Sequence, residues 1–305
     1  MWSEECEEKL RQELSILIPT FNDNCYECVK ELARQANDIN GLQWEVIVAD
    51  DGSTDQAVID ANSAIERMRH CRVLRQPQNI GRAAIRNFLA RSAQYEYLLF
   101  IDGDMTIVRK DFLLRYLQSA STPVYGGYEV GADQTSGQFE ACLRYLYEKA
   151  VEPQHDVLSR QQQPNRDFHT SNFMAERRLM LYFPFDERFR QYGYEDVFWG
   201  RQLADASVTI YHLDNPVAFN NFEDNAVFVK KTETALQTLH QFATELQGYS
   251  RLLSVAQTLR HYCLAAPCRL LFRFLGKRLR QNLCGPSPSL RIFHLYRLLY
   301  LISLG

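Results

Sequence analysis

Short runs of apolar residues alternate with stretches of helical spacing along roughly the first 110 residues of the chain. The runs are rich in β-branched and aromatic side chains, which favours strands, and they lie at residues 14–19, 44–50, 71–76 and 97–102. The stretches between them have helical periodicity and lie at residues 26–39, 55–68 and 79–93. Strands that alternate with helices of this length favour parallel pairing through right-handed crossovers. We therefore expect an α/β fold with an open, doubly wound sheet.

The pattern is less regular in the rest of the chain. We expect strands at residues 122–130 and 208–213, and helices at residues 137–151, 196–206 and 224–246. A polar stretch at residues 152–168 is a candidate mobile loop. From Ser250 the sequence is almost entirely helix-like, interrupted at Pro267 and at the GPSPS turn of residues 285–289. These features divide the chain into an α/β domain of residues 1–222 and a helical C-terminal region of residues 223–305.

Composition is that of an ordinary globular protein, because 46% of the 305 residues are hydrophobic and 23% are charged. The apolar run LLYLISL near the C-terminus is much shorter than the roughly 20 residues that cross a bilayer, so no transmembrane helix is expected. The first residues, MWSEECEEKL, lack the basic start and apolar core of a signal peptide, which predicts a cytoplasmic protein with free thiols. Cys25 and Cys28 have the spacing of a metal-binding pair, but no second pair or histidine follows at zinc spacing, so two small helical side chains are expected.

Charge is distributed unevenly along the chain. Residues 246–305 hold nine of the 34 Lys and Arg residues and none of the 37 Asp and Glu residues. The preceding part is therefore acidic, which makes it a poor binder of nucleic acid. The basic, aromatic tail suits an anionic partner, either a lipid surface or a nucleic acid.

Polar residues follow the predicted strands, at the carboxyl ends where ligands bind in open parallel sheets. The segments are PTFND (19–23), ADDGSTD (49–55) and IDGDM (101–105), with NIGRAAIRN (79–87) at the start of the third helix. Asp102 and Asp104 are two residues apart, so their side chains point the same way if the segment is extended. Two carboxylates on one side suit Mg²⁺ or Mn²⁺. Four apolar residues precede the pair and place it on a buried strand, where it needs a positive partner.

The segment DGSTD (51–55) also has the composition of a turn. We expect Ser53 or Thr54 to cap the helix that follows. Capping does not need two consecutive aspartates. We therefore expect one of the two aspartates, Asp51, to point into the site and to accept hydrogen bonds from a nucleoside.

Together, PTFND, VADDGSTD, NIGRAAIRN, FIDGDM and the later YGYEDVFWGRQL (192–203) resemble the motifs of the family 2 glycosyltransferases of the GT-A fold. The motifs occur in family order and at family spacing over residues 14–222. The resemblance implies a Rossmann-like, mostly parallel central sheet flanked by helices, to which this chain adds a helical C-terminal extension. It also implies transfer of a sugar, with inversion, from a nucleotide diphosphate sugar, most commonly a UDP-sugar. The acceptor would be a saccharide or a lipid-linked molecule, in the synthesis of a cell-surface polysaccharide or glycolipid.

The same resemblance implies roles for the acidic residues. Asp102 and Asp104 would orient the ribose and hold a divalent cation, Mn²⁺ or Mg²⁺, on the diphosphate, and His212 would complete the metal shell. Asp196, next to Glu195, would be the general base that deprotonates the acceptor hydroxyl. If the two carboxylates are close and partly buried, the proton affinity of Asp196 is expected to rise.

The resemblance also outlines the nucleotide pocket. Besides Asp102, its residues would be Pro19, Thr20, Asp51, Asn79 and Arg82. The segment HTSNFMAERRLM (169–180) matches a region that lies beneath the donor sugar and the acceptor in the family.

Three other functions fit parts of the sequence. FIDGDMT also matches the D-x-D-x-T motif of haloacid-dehalogenase-type phosphatases, in which the first aspartate is the nucleophile. That motif usually lies on the first strand, whereas three strand–helix units precede it here. A nucleotidyltransferase would begin with a Gly-rich basic loop, which PTFNDN does not supply. A catalytically inactive nucleotide-sugar-binding module would lack a base or a metal pair.

The basic tail fits two arrangements. Its leucines and phenylalanines alternate with arginines and lysines, which suits an amphipathic surface lying on an anionic membrane. We expect peripheral contact with the cytoplasmic face of a membrane, because similar transferases act on lipid-linked acceptors there, and we expect no nucleic-acid partner. In the alternative, these helices pack on the catalytic domain or on a second subunit, with their basic faces against its acidic surface.

Overall fold

A seven-stranded sheet lies at the centre of the computed structural model, which describes residues 10–131 and 139–305. A second sheet has three strands. In chain order the strands are β1 (Glu13–Thr20), β2 (Gln43–Asp50), β3 (Cys71–Arg75), β4 (Tyr97–Ile101), β5 (Met105–Thr106), β6 (Val124–Tyr125), β7 (Tyr128–Val130), β8 (Asn172–Glu176), β9 (Tyr211–His212) and β10 (Val217–Phe219).

Helices connect these strands and continue to the C-terminus. They are α1 (Tyr26–Asp38), α2 (Gln56–Ser63), α3 (Arg82–Ser92), α4 (Phe112–Gln118), α5 (Leu143–Val151), α6 (Val157–Gln161), α7 (Arg177–Tyr182), α8 (Glu195–Asp205), α9 (Asn225–Gln241), α10 (Arg251–His261), α11 (Ala265–Leu283) and α12 (Leu290–Ser303). Short 3₁₀ helices occupy Ala64–Arg67 and Glu152–Gln154.

The strand order in the larger sheet is β3-β2-β1-β4-β8-β6-β9. β1 pairs in parallel with β2 and β4, and β2 pairs in parallel with β3. β8 runs antiparallel to both β4 and β6, and β6 pairs in parallel with β9. In the smaller sheet β10 runs antiparallel to β5 and parallel to β7. This mostly parallel arrangement with surrounding helices confirms the predicted α/β fold class.

The first four strands and the three helices between them confirm the predicted alternation, with α3 beginning at Arg82. β1 and β2 are buried along almost their whole length, as their continuous apolar sequences indicate. Thr20 of β1 lies opposite Asp50 of β2, and Leu17 of β1 lies opposite Phe100 of β4. The segments that follow β1, β2 and β4 therefore meet at one edge of the sheet.

The predicted single strand at residues 122–130 is wrong, because this stretch forms two strands, β6 and β7, in different sheets. Gly126 and Gly127 separate them. A Cβ at Gly126 would overlap the side chains of Asn172 and Tyr116, and Gly127 has a φ of 88°. Glycine permits both the close approach and the positive φ, so the chain changes sheets here.

The prediction that residues 152–168 form a loop is also wrong, because the segment contains a 3₁₀ helix and α6. Its mobility stays a prediction. Arg160 of α6 is only 2% exposed, and its Nη2 donates a hydrogen bond to the carbonyl oxygen of Leu213 (3.2 Å). These contacts attach the segment to the sheet. The helix predicted at residues 137–151 is α5, which begins at Leu143. Residues 137–138 and the N-terminal residues 1–9 lie outside the described part of the chain.

The cap of α2 differs from the prediction. Asp55, not Ser53 or Thr54, is the N-cap, and its carboxylate accepts from the backbone N–H of Ala57 (3.0 Å). The Ser53 hydroxyl instead accepts from the backbone N–H of Asn22 (2.8 Å). Ser53 therefore joins the segment after β2 to the segment after β1.

The C-terminal helices pack on one another and on the α/β part of the chain. One buried cluster joins Phe189 to Leu239 of α9 and Ile302 of α12, and another joins Leu143 of α5 to Phe293 of α12. The tail thus packs on the catalytic part of the chain as in the second expected arrangement, but these contacts are apolar rather than between basic and acidic faces. The domain boundary near residue 222 stays a prediction.

Pro267 does not interrupt a helix, since it is the third residue of α11. The first N–H groups of a helix have no intrahelical acceptor, so a proline is tolerated there. The GPSPS segment separates α11 from α12, as predicted. Within the described residues, no helix combines the length and apolar character needed to span a membrane.

Candidate functional site

The segments after β1 and β4 pack directly against each other. The backbone N–H of Gly103 donates to the carbonyl oxygen of Pro19 (3.2 Å). A Cβ at Gly103 would lie 3.1 Å from the Cβ and Oγ1 of Thr20, closer than most side chains approach. The glycine between Asp102 and Asp104 therefore lets the two aspartates lie beside the residues predicted to bind a nucleoside.

Asp51 supports the start of α3. Its carboxylate accepts from the backbone N–H groups of Ile80 (2.7 Å) and Gly81 (3.1 Å). Burial raises the pKa of Asp51, and these two hydrogen bonds partly offset that rise. Asp50 instead accepts from the N–H of Ser53 (2.8 Å), within the turn. Of the two aspartates, Asp51 lines the cavity at the strand ends.

Two arginines of α3 hold Asp102 and Glu195 together. Arg82 donates from Nη2 to Asp102 (3.1 Å) and from Nε to Glu195 (2.9 Å). Arg86 lies one helical turn further on, pairs with Asp102 (2.5 Å), and lies 3.6 Å from Glu195. We call these four residues the arginine cluster. Arg82 and Arg86 are the positive partners expected for a carboxylate on a buried strand. Between them they contact both oxygens of Asp102.

Asp104 has a different environment from Asp102. Burial, followed by the charges of Asp102 and Asp23, raises the pKa of Asp104 to about 6. Within residues 10–131 and 139–305, no salt bridge reaches Asp104. A carboxylate that lacks a fixed counterion, next to a predicted nucleotide pocket, fits a divalent cation that keeps phosphate oxygens and waters as its other ligands.

His212 lies apart from this carboxylate. It is buried, its Nε2 lies 2.9 Å from the carbonyl oxygen of Pro164, and its ring packs edge-on against Tyr125. It is absent from the linings of the two cavities that contain Asp104. The described part of the chain contains no group of three or more His, Cys, Asp or Glu residues arranged to hold a metal ion. The position of His212 therefore gives no support to its predicted role in the metal shell.

Asp196 pairs with His169 rather than with Glu195. Its Oδ2 lies 3.2 Å from Nδ1 of His169, and its Oδ1 accepts from the backbone N–H of Val197 (2.8 Å). Glu195 instead points to Arg82 and Arg86, because consecutive helical residues project about 100° apart. Burial alone would raise the pKa of Asp196, but the hydrogen bond and charge of His169 outweigh it and lower that pKa. The expected rise in the proton affinity of Asp196 is therefore wrong.

Two adjoining cavities contain these residues. The smaller has a volume of about 320 Å³, and its lining includes all the residues predicted for the nucleotide pocket: Pro19, Thr20, Asp51, Asn79, Arg82 and Asp102. The larger, of about 490 Å³, contains His169 and Asp196. The two cavities share Arg82, Asp102, Asp104, Tyr192 and Lys231. A ligand in the smaller cavity can therefore extend past Asp104 towards Asp196.

Sequence reasoning missed three contributions to this site. Arg86 repeats the position of Arg82 four residues later, a helical spacing that could have identified it. His169 lies in a segment noted from the resemblance, but no local pattern pairs it with Asp196. The third contribution is from the C-terminal helix α12, which supplies Phe293 and Arg297 to the larger cavity.

Comparisons with known proteins agree with this geometry. A mannosyltransferase from Pyrobaculum calidifontis, solved with GDP-Man and Mn²⁺, matches 97% of this chain and 87% of that chain with a TM-score of 0.57 at 14% identity. Staphylococcus aureus TarS matches 94% of this chain and 55% of that chain with a TM-score of 0.52 at 17% identity. These similarities confirm the GT-A fold.

Curated sequences show a shorter match. An uncharacterized glycosyltransferase from Haemophilus influenzae is 33% identical over 91 residues, which are 30% of this chain and 36% of that protein. The chain thus spans well under two thirds of the length of that relative. The model of the family described as "Glycosyl transferase family 2" matches residues 15–189. Because that match extends over more than half of the chain and includes the strand-end aspartates, this chain belongs to glycosyl transferase family 2.

Proposed function

We propose that this chain transfers a sugar from a nucleotide diphosphate sugar to an acceptor hydroxyl, with inversion at the anomeric carbon. The observation that carries the proposal is that one cavity contains both Asp104 and the Asp196–His169 pair. Asp104 lies at the junction with the smaller cavity, where the nucleotide residues were predicted. A donor bound across that junction places its sugar between the two carboxylates.

The smaller cavity suits the nucleoside of the donor. Thr20 ends β1, and Asp102 follows the adjacent strand β4. The segment with Asn79 is held by the Asp51 carboxylate, which accepts from the backbone N–H groups of Ile80 and Gly81. TarS was solved with UDP-GlcNAc, and the Pyrobaculum mannosyltransferase with GDP-Man. A UDP-sugar is the commonest donor in the family and is the donor we propose.

Asp104 is the residue that would hold a divalent cation, Mn²⁺ or Mg²⁺. When bound, the cation supplies positive charge that stabilises the leaving diphosphate. Asp102 keeps its two arginine partners, so its role is to position Arg82 and the ribose rather than to act as a second free carboxylate. This division follows from the raised pKa of Asp104 and from the salt bridges of Asp102.

Asp196 is the general base in this proposal. Its lowered pKa keeps the carboxylate ionised at neutral pH, and His169 and the N–H of Val197 orient it. The acceptor oxygen forms its bond to the anomeric carbon while the bond from that carbon to the diphosphate oxygen breaks. The hydroxyl proton passes to Asp196.

The first experiment measures release of nucleoside diphosphate from a panel of UDP- and GDP-sugars, with Mn²⁺ or EDTA and without acceptor. We expect metal-dependent release from one donor, and loss of that release in Asp104→Ala. Asp196→Asn is expected to keep nucleotide binding but lose transfer to an acceptor. Asp60→Asn, at an exposed position of α2, is the matched control and should behave as wild type.

The opposite result has a clear meaning. If no donor is cleaved and no nucleotide binds in a metal-dependent manner, the aspartate segment is not a transferase site. The remaining functions for the site would then be a phosphatase activity or the binding of a nucleotide sugar without catalysis. Hydrolysis of a phosphate monoester that depends on Asp102 would identify the phosphatase.

We also propose peripheral attachment to the cytoplasmic face of an anionic membrane through α11. Leu270 (55% exposed), Leu271 (42%) and Phe274 (71%) are exposed apolar residues of this helix. Arg273 and Lys277 lie beside them on a segment without acidic residues, so its charge is complementary to anionic lipid. This location fits a lipid-linked or saccharide acceptor in cell-surface polysaccharide or glycolipid synthesis.

Co-sedimentation with vesicles tests this attachment. Wild type should bind vesicles that contain phosphatidylglycerol at low salt and should not bind phosphatidylcholine vesicles. Phe274→Glu should reduce binding, whereas Leu158→Glu, at an exposed apolar position of α6 (75% exposed), should leave it unchanged. Protein that stays in the supernatant with anionic vesicles at low salt would contradict the proposal.

A further inference from the structure

The charged side chains of the larger cavity form pairs, with two exceptions. The pairs are Arg82 with Asp102 (3.1 Å), Arg144 with Glu148 (2.7 Å), Lys231 with Glu223 (3.1 Å) and His169 with Asp196 (3.2 Å). Among the described residues that line the cavity, Asp104 and Arg297 are left without a partner of opposite charge. One unpaired anion and one unpaired cation therefore occupy the same cavity.

In the described part of the chain, the guanidinium of Arg297 in α12 contacts aromatic rings and hydroxyl groups. Its guanidinium lies over the rings of Tyr147 and Phe293, each with its centroid 5.4 Å away. Nη1 donates to the hydroxyl of Tyr147 (3.3 Å), and Tyr194 supplies a second hydroxyl contact. A guanidinium has five N–H donors, and the hydrogen bonds to the two tyrosine hydroxyls leave donors for another partner. The edge geometry matches the oxygens of a phosphate or a carboxylate.

The backbone of α12 holds Arg297 in place. Phe293, Tyr296 and Leu299 of the same helix are at most 2% exposed. The hydroxyl of Tyr296 donates to Glu233 of α9 (2.7 Å), which also accepts from Arg280 of α11 (2.8 Å). The arginine is therefore presented from a packed helix rather than from a mobile tail.

Arg297 lies on the acceptor side of the site. It lines the larger cavity but not the smaller one, where the nucleotide residues are. Asp104, which the two cavities share, belongs to the donor side in the proposed function. The unpaired cation is thus separate from the groups that face the donor diphosphate.

We propose that the acceptor carries an oxyanion, a phosphate or a carboxylate, that binds edge-on to Arg297. This inference rests on the proposed function, because it assigns the larger cavity to the acceptor. It gives α12 a direct part in acceptor selection. The C-terminal helical region then completes the active site in addition to any contact with a membrane.

Calorimetric titration with three small probes tests the proposal. Glycerol 3-phosphate, glycerate and glycerol share a polyol frame and differ in the oxyanion. Wild type should bind at least one of the two charged probes at least ~10-fold more tightly than glycerol, and Arg297→Gln should lower that affinity ~10-fold to 100-fold. Arg291→Gln, at an exposed position of the same helix, is the matched control and should bind as wild type. Arg297→Lys keeps the charge and should retain part of the affinity.

Each outcome decides the matter. If wild type does not prefer a charged probe, or if Arg297→Gln binds the charged probes as wild type does, the inference is overturned. The stronger charged probe identifies the oxyanion. Circular dichroism shows whether Arg297→Gln is folded, and Arg297→Lys provides the comparison if it is not. Nucleoside diphosphate release without acceptor is measured in parallel, and its absence in wild type counts against the proposed function whatever the probes show.

Discussion

Replacing Arg86 with methionine tests whether the arginine cluster supports the fold as well as the site. The Arg86 side chain is 1% exposed and reaches Asp102 at 2.5 Å and Glu195 at 3.6 Å. Those carboxylates are 14% and 4% exposed, so water cannot replace the lost guanidinium freely. Methionine fills similar volume but leaves two buried negative charges with Arg82 as their remaining partner.

The expected cost is large for a single substitution. Removing one partner of a buried ion pair costs about 3–5 kcal/mol when the remaining charge lacks compensation, and here Arg82 would have to balance two buried carboxylates. Typical domains have only about 5–15 kcal/mol of unfolding free energy in total. With about 2–4 °C per kcal/mol in larger domains, the melting temperature should fall by about 6–20 °C.

Urea denaturation followed by circular dichroism measures this loss. The control is Arg91→Met on the same helix, where the arginine is 57% exposed and lies 3.9 Å from Glu187, so we expect a change below about 1 kcal/mol. Adding Glu195→Gln to Arg86→Met leaves Arg82 with one carboxylate to balance instead of two, and should recover part of the stability. A loss below about 1 kcal/mol in Arg86→Met, or no recovery in the double variant, would show that the arginine cluster does not stabilise the fold.

Three further predictions concern single residues. Asp104→Asn should raise the free energy of unfolding at pH 7.5 in EDTA by about 1–3 kcal/mol. Burial raises the pKa of Asp104 from 3.8 to about 6, so its ionised form destabilises the folded state at this pH. The gain should fade as the pH falls from 6 towards 4, and a gain that persists at pH 4 would exclude this cause. His169→Gln should move the acidic limb of the pH–rate profile to higher pH. Without the charge of His169, burial raises the pKa of Asp196. If the limb does not move, Asp196 is not the titrating base. Gly200→Ala should lower the free energy of unfolding by about 1–3 kcal/mol, because a Cβ there would overlap the carbonyl oxygen of Asn165. The same change usually stabilises a helix. A higher melting temperature in thermal unfolding would therefore contradict the clash.

The first half of the fold could be predicted from the amino-acid sequence. The strands β1 to β4 were predicted because buried parallel strands need nearly continuous apolar runs, and the intervening helices have their own period. Polar residues at strand ends had to meet at one edge, so Thr20, Asp51 and Asp102 could be placed together before any coordinates. The motif set also identified the family, which the family model confirms.

Which strands pair in the rest of the fold, and which charges pair in the site, depends on the packing of distant segments. The antiparallel direction of β8 follows from its pairing with β4 and β6. The division of residues 122–130 depends on Gly126 and Gly127, which fit beside distant side chains. Asp196 pairs with His169, 27 residues earlier in the chain, rather than with the neighbouring Glu195. Arg297 lines the larger cavity from a helix near the C-terminus. A carboxylate's partner is set by distance and burial in space, neither of which a local sequence pattern records. The hydrophobic period of a helix or strand indicates which of its faces is buried. Which buried charges contact each other depends on how the helices and strands pack together.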